Sequence, residues 1–203
     1  MAMTVLPRDA LLRSTDANWT ADDWEQLPDD GQRYEIIGGV LYVSTAPSPA
    51  HQLIAQETYT ILREQVVVPG VGLIFLAPIG LFMPGTDPVQ PDLLVVRAED
   101  RGIIGPRRIE GVPALLVEVL SPSNANYDLV TKREAYARAG VPEYWIARPV
   151  ERDILVHSEP EPATGQYLRV ERVPPAGTLI SPTLPVQAAV VAFFAGILAD
   201  TTP

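Results

Sequence analysis

Hydrophobic residues along this chain change their spacing from segment to segment, and the changes predict an alternation of strands and helices. Two β-rich segments, 34–37 and 40–43, flank Gly38-Gly39, which is a strong signal for a two-residue β-hairpin. Apolar residues spaced by three and four predict a helix within 50–68. A second helix is predicted from Asn126 to Ala139, with Gly140 as its C-terminal stop.

Prolines and apolar runs indicate the remaining elements. The 21 prolines confine helices to proline-free windows, because the ring removes a backbone N–H and clashes with the preceding turn. Thr20 and Asp23 predict a capped short helix over 21–27, whereas Pro160 and Pro162 are expected in loops. Strands are predicted at 73–83, 92–96, 114–120, 143–147, 153–157 and 166–173.

The order of these elements is that of one α/β domain. The hairpin is followed by a helix, three strands, a second helix and further strands, with no internal repeat or low-complexity linker between them. We therefore predict an N-terminal tail over residues 1–19 and a single domain over residues 20–203. The apolar run 114–120 is almost unbroken, which is typical of a central strand that is covered on both faces.

Composition excludes several kinds of function. The net charge of −10 argues against a broadly basic DNA-binding surface, although it permits a local basic site. The absence of cysteine excludes thiolate zinc sites and cysteine nucleophiles, and two histidines are too few for a multi-histidine metal centre. The N-terminus lacks an apolar signal-peptide core, and the longest apolar stretch, 188–199, is too short for a membrane span. We expect a cytoplasmic protein without membrane contact.

Two acidic residues in predicted strands are the first candidates for chemistry. Glu118 lies in an apolar run, where an ionised carboxylate costs several kcal/mol unless it is paired or bound to a metal. Asp92 begins the preceding strand, so an antiparallel pairing of the two strands would bring the carboxylates together. Adjacent carboxylates favour Mg²⁺ or Mn²⁺. A salt-bridged core acid and a strand-start acid are the structural alternatives.

Composition also singles out Lys132. The chain has fourteen arginines and this one lysine, so arginine serves wherever an ordinary surface charge suffices. A compact ammonium at this position therefore indicates a site that the planar guanidinium group cannot fill. Asp128, Lys132 and Tyr136 are four residues apart and share one helical face. A solvated helix lysine is the structural alternative.

An ordered set of short segments extends this picture over residues 20–198. The segments are RYEIIGG at 33–39, PSPAH at 47–51, PD at 91–92, VEVLSPS at 117–123, the residues at 128, 132 and 136, and GVPEYW at 140–145. In this order they resemble the Uma2 family of restriction-type endonucleases, a branch of the PD-(D/E)XK nuclease superfamily. The resemblance implies an α/β fold with a restriction-endonuclease-like mixed central β-sheet flanked by helices, here with an N-terminal β-hairpin.

The resemblance also implies a catalytic set. Asp92 and Glu118 match the two acids of the superfamily, and Glu35 matches its upstream glutamate. The superfamily lysine, two residues after the second acid, is replaced here by Leu120, and Lys132 resembles a lysine that has migrated to the following helix. The implied ligands of one Mg²⁺ or Mn²⁺ ion are Asp92, Glu118, Glu35 and the carbonyl of Val119.

Hydrolysis of DNA phosphodiester bonds is the function that the resemblance implies. Arginines between the two acid-bearing strands and on the second helix could form a local phosphate-binding patch, although solvated loop arginines are the alternative because acids are interspersed. The predicted substrate contacts are Arg97, Arg107, Arg108 and Tyr136, with Arg101, Arg133 and Arg138 nearby. Second-rank site candidates are His51, Glu57 and Asp128.

A catalytically inactive nuclease-fold module for binding or regulation is the alternative function. The acidic net charge favours this alternative, and the presence of all four implied catalytic residues opposes it. A homodimer is expected, because two subunits would supply one active site for each DNA strand. The apolar stretch 188–199, which contains Phe193 and Phe194, is expected to be buried or to contact the second subunit.

Overall fold

Strands and helices alternate along the chain, as the hydrophobic pattern predicts. The computed structural model describes residues 11–28, 30–44, 46–121 and 125–197. Its strands are β1 (Leu11–Arg13), β2 (Arg33–Ile37), β3 (Val40–Ser44), β4 (Gly72–Leu76), β5 (Leu81–Phe82), β6 (Leu93–Arg97), β7 (Ile109–Glu110), β8 (Leu115–Val119), β9 (Glu143–Arg148), β10 (Asp153–Glu161), β11 (Gln166–Val173), β12 (Thr178–Ile180) and β13 (Gln187–Ala189). Its helices are α1 (Ala21–Glu25), α2 (Pro49–Leu62), α3 (Arg133–Arg138) and α4 (Val190–Phe193), with π-helical segments at Arg63–Val67 and Tyr127–Lys132 and a 3₁₀ turn at Arg101–Ile103.

A six-stranded mixed sheet forms the centre of the fold, in the order β11-β10-β9-β8-β6-β4. β8 and β9 are parallel, and every other neighbouring pair is antiparallel. The π-helical segment and α3 make the crossover that joins the two parallel strands. The predicted fold class, a mixed central sheet flanked by helices, is confirmed.

Alternation along the central strands separates two hydrophobic clusters. Val117 of β8 belongs to one cluster together with Ile54 of α2. Leu116 belongs to the cluster on the opposite face, together with Tyr136 of α3. Because side chains alternate along a strand, Glu118 shares the face of Leu116 and its carboxylate is directed toward α3.

The N-terminal hairpin is confirmed and is larger than predicted. Gly38 and Gly39 have φ values of +61° and +74°, as a two-residue type I′ turn between β2 and β3 requires. β1 pairs with β3 as a third strand, so residues 11–13 of the predicted tail are part of this small sheet. Thr20 and Asp23 form the predicted capping box, although α1 ends at Glu25.

The C-terminal third corrects one expectation and decides between two alternatives for another segment. Pro160 lies within β10 rather than in a loop. β9 pairs with β10 only as far as Ser158, so one side of β10 is free at Pro160, and a proline is tolerated at such an edge. Phe193 and Phe194 pack into the core of their own chain, so they are not available for a subunit contact. Residues 122–124, which follow the predicted strand 114–120, and residues 198–199, which end the apolar stretch 188–199, lie outside the described residues. None of the described helices has the length and apolar character that crossing a membrane requires.

Candidate active site

A pocket opens at one end of the neighbouring strands β6 and β8, where the hairpin, the start of α2 and the π-helical segment before α3 meet. Its volume is about 60 Å³. The segments that line it come from distant parts of the sequence and bring charged side chains of both signs together. These side chains are Arg33, Glu35, His51, Asp92, Glu118, Asp128 and Lys132.

Strand register places Asp92 beside Glu118. β6 and β8 are antiparallel with Leu93 opposite Val117, so the next position along the pair puts the two acids opposite each other. Both residues are buried. The predicted pairing of the two acid-bearing strands is confirmed.

Lys132 joins the acids of three elements. Its Nζ lies 2.7 Å from Glu118 Oε1, 3.0 Å from Glu35 Oε1 and 3.8 Å from Asp128 Oδ1. The residue is 2% exposed, so it is not a solvated helix lysine. Burial lowers the pKa of Lys132, but the charges of the three acids outweigh burial and raise that pKa above its usual value. Lys132 is therefore a permanently charged ammonium inside the protein.

Three donors hold Asp92. Arg33 Nη1 donates to Asp92 Oδ1 at 2.6 Å, and the backbone N–H of Val119 donates to Oδ2 at 2.8 Å. His51 Nε2 lies 3.0 Å from the same Oδ2. Burial raises the pKa of Asp92, but His51 and Arg33 outweigh burial and hold that pKa well below its usual range. Asp92 is therefore ionised.

Glu35 is fixed from two sides. The backbone N–H of Gln90 donates to Glu35 Oε1 at 2.8 Å, and the Tyr127 hydroxyl donates to Oε2 at 3.2 Å. Arg33, two residues earlier on the same face of β2, also donates to the carbonyl of Gln90. These bonds attach the hairpin to the segment that leads into Asp92.

The pocket contains more buried acid than base. Four carboxyl groups line it, against two permanently charged cations, Arg33 and Lys132. Burial and the neighbouring acids outweigh the attraction of Lys132, so the pKa of Glu118 is raised well above its usual value and that of Asp128 is raised to about 7. Both shifts come first from burial of the carboxyl groups and then from the charges of the neighbouring acids.

This donor set fits a divalent cation by its chemistry. Surplus buried carboxylate oxygens are what Mg²⁺ and Mn²⁺ prefer as ligands. Among the described residues, no three acidic or histidine side chains converge on one metal position. The carboxylates instead contact Lys132, Arg33 and His51. A metal ion would therefore compete with these internal cations.

The predicted substrate contacts lie outside the pocket. Tyr136 is fully buried, and its hydroxyl donates to Glu118 Oε1 at 2.9 Å, so it supports the acid rather than contacting a substrate. Arg97 donates to the backbone carbonyl of Thr183 at 2.8 Å. Arg108 pairs with acids of α1 and β7, and neither Arg108 nor Arg107 lines the pocket. The structure therefore does not bring the predicted arginine patch to the acids.

The second-rank candidates divide between the pocket and the rest of the fold. His51 and Asp128 line the pocket, whereas Glu57 is half-buried on α2 beside Gly196. Arg33 and Tyr127 contact the pocket acids but are not among the predicted site residues. A signal for Arg33 exists in the sequence, because the alternation along β2 puts it on the same face as Glu35.

Comparisons with known proteins agree with this geometry. The mixed central sheet with flanking helices agrees with the restriction-endonuclease-like fold expected from the sequence, and the acidic pocket with its lysine contains the residues expected of that class. Residues 21–192 match the Uma2 family, described as "Putative restriction endonuclease", and the chain belongs to that family. A crystal structure described as "a putative nuclease belonging to DUF820 from Anabaena variabilis" is similar, with a TM-score of 0.72 and 18% sequence identity over 87% of this chain and 97% of that one. At this identity the similarity shows a shared fold. No curated protein gives a significant match.

Proposed function

We propose that this chain is a divalent-metal-dependent endonuclease that hydrolyses phosphodiester bonds in DNA. One observation carries the proposal: Asp92, Glu118, Glu35 and Lys132 come from separate segments and meet in one pocket. Membership of a family described as restriction endonucleases supports it.

The acids would hold the metal. Asp92, Glu118 and the carbonyl of Val119 would be its ligands, and Glu35 would support it directly or through water. The bound ion would supply Lewis-acid chemistry, which polarises a scissile phosphate and lowers the pKa of a bound water molecule. Arg33 and His51 keep Asp92 ionised, which is the state that a ligand requires.

Lys132 serves this reaction as a cation rather than as a base. Its raised pKa keeps the ammonium protonated, so Nζ donates hydrogen bonds and does not accept a proton. In the pocket it would stabilise the negative charge that develops on the phosphate in the transition state. Tyr136, which donates to the same Glu118 oxygen as Lys132, keeps that carboxylate oriented.

Nicking of supercoiled plasmid with Mg²⁺ or Mn²⁺ tests the proposal. Asp92→Asn removes a ligand charge, and Lys132→Arg keeps the charge but changes its shape, so each is expected to lower the rate by about 100-fold or more. Glu57→Gln, which neutralises a half-buried acid outside the pocket, is the control and should nick at the wild-type rate. Wild-type rates for folded Asp92→Asn and Lys132→Arg would contradict the proposed roles.

An inactive nuclease-fold module is the second candidate. Lys132, Arg33 and His51 already contact the pocket acids, so these side chains would compete with a metal ion for the same carboxylates. Calorimetric titration with Mn²⁺ separates the two candidates. Binding heat that disappears in Asp92→Asn supports the enzyme. Absence of binding in the wild type supports the module.

A further inference from the structure

β11 leaves one edge of the central sheet open. It is the last strand in the sheet order and pairs with β10 alone. Six of its eight residues are exposed, and within the described residues its outer edge has no backbone partner. A long exposed edge strand is a template for pairing with another chain.

Apolar side chains make this edge suitable for a protein partner. Leu168 is 65% exposed, and Val170, which lies on the face that carries His157 of β10, is 56% exposed. On the other face, Arg169 and Glu171 line a groove together with Ile180, which is 64% exposed. Apolar residues at solvated positions along an edge indicate a surface that another strand covers.

We propose that β11 pairs with β11 of a second copy of this chain, antiparallel about a two-fold axis at Val170. The two central sheets would then be continuous across the dimer. The charge pattern of the strand points to this partner and to this register.

The symmetry restricts the possible registers. A two-fold axis perpendicular to the sheet keeps each side chain on its own face, so directly opposed residues must be an even number of positions apart in the sequence. With the axis at Val170, the two Val170 side chains meet each other. Arg169 then faces the partner's Glu171, and Glu171 faces the partner's Arg169, which gives two pairs of opposite charge.

Neighbouring registers are disfavoured by the same charges. An axis at Arg169 would place arginine opposite arginine, and an axis at Glu171 would place glutamate opposite glutamate. Like charges directly opposite each other destabilise a strand pair. Arg169 and Glu171 are 60% and 54% exposed, so a partner can reach both, and their 3.5 Å ion pair within one chain would be exchanged for the two pairs across the dimer. The charges of Arg169 and Glu171 therefore disfavour the registers centred on either of these residues and favour the dimer centred on Val170.

Disulfide trapping tests the position of the axis. The chain has no cysteine, so Val170→Cys introduces a single thiol. In the proposed dimer the two thiols face each other with Cα atoms about 4.5–5.5 Å apart, which permits a disulfide. Leu168→Cys is the matched control, because its two copies would lie four positions apart, about 13 Å along the strand, and out of reach.

Mild oxidation is expected to convert Val170→Cys to a covalent dimer and to leave Leu168→Cys largely monomeric on a non-reducing gel. Equal cross-linking of the two variants, or no cross-linking of Val170→Cys, would overturn the proposed axis.

Charge exchange tests the register independently. Arg169→Glu creates two like-charge contacts and is expected to weaken self-association by roughly tenfold or more, measured by sedimentation. The double variant Arg169→Glu/Glu171→Arg restores opposite charges and should recover the dimer. Arg101→Glu, the same change at an exposed residue elsewhere, should leave association unchanged.

A wild type that stays monomeric across the micromolar range, or a double variant that fails to recover, would rule the dimer out. All these variants leave the pocket residues in place, so the result is independent of the proposed nuclease function.

Discussion

At the scale of single residues, the buried carboxyl group of Asp128 makes the stability of the protein depend on pH. Burial first, and the neighbouring acids second, raise its pKa from 3.8 to about 7. Between these values the folded protein holds a proton that the unfolded chain has released. The free energy of unfolding of the metal-free protein should therefore fall as pH rises from 4 to 7, by up to about 4 kcal/mol from this group.

Asp128→Asn tests this expectation because it removes the ionisation and keeps the shape. Urea unfolding in EDTA should show equal stability of variant and wild type near pH 4 and a more stable variant at pH 8. Asp100→Asn, at an exposed acid, should follow the wild type at every pH. A variant less stable than the wild type at pH 8 would mean that Lys132 requires an ionised Asp128.

Sequence alone identifies the residues of this site whose type is unusual for their surroundings. Glu118 is an acid in an apolar strand, and Lys132 is one lysine among fourteen arginines, so each is conspicuous. Arg33 and Tyr127 are common residue types in ordinary positions. Their roles depend on how the hairpin packs against the sheet, which local patterns do not contain.

At the scale of elements, the β2–β3 hairpin positions Glu35, and its turn makes a testable prediction. Gly38 and Gly39 both have positive φ, but a Cβ at Gly38 meets no atom within 4 Å, whereas a Cβ at Gly39 lies 2.3 Å from the carbonyl oxygen of Ala17. Gly38→Ala should cost about 1 kcal/mol of stability, from the left-handed backbone alone. Gly39→Ala should cost about 2–4 kcal/mol, because strain and a backbone clash add.

Urea unfolding of the two alanine variants measures this difference, and each variant serves as the control for the other. Equal costs would mean that the segment around Ala17 moves aside without penalty. In that case the contact between residues 17–19 and the turn does not stabilise the hairpin.

Elements with strong local signals are predictable, and elements made by distant pairing are not. Gly140 ends α3 as predicted, with φ of +77° and a hydrogen bond from the Val141 N–H to the Tyr136 carbonyl. β1, β12 and β13 have three residues each, too few for a visible alternation, and they exist because a partner strand is nearby. Helix periodicity and glycine turns are local, whereas short-strand pairing depends on the tertiary fold.

At the scale of the whole molecule, the net charge of −10 opposes binding of the DNA substrate that we propose. The structure resolves part of this conflict, since four of the acids line one pocket, where a divalent cation would offset them. The arginines that could have formed a basic face are partly committed elsewhere. Arg108 pairs with acids of α1 and β7, and Arg148 and Arg172 pair with Asp153. DNA binding should therefore depend on the metal more than on a protein surface.

Fluorescence anisotropy with a short labelled duplex tests this dependence. We expect binding in Mn²⁺ or Mg²⁺, no measurable binding in EDTA, and loss of the metal-dependent part in Asp92→Asn. The slope of log K against log salt should be shallow, corresponding to about 1–3 phosphate contacts, because each neutralised phosphate contributes about −0.9 to the slope. A complex that forms without metal and has a slope steeper than about −5 would require a broad basic surface. That result would contradict the prediction that DNA binding depends mainly on the metal ion.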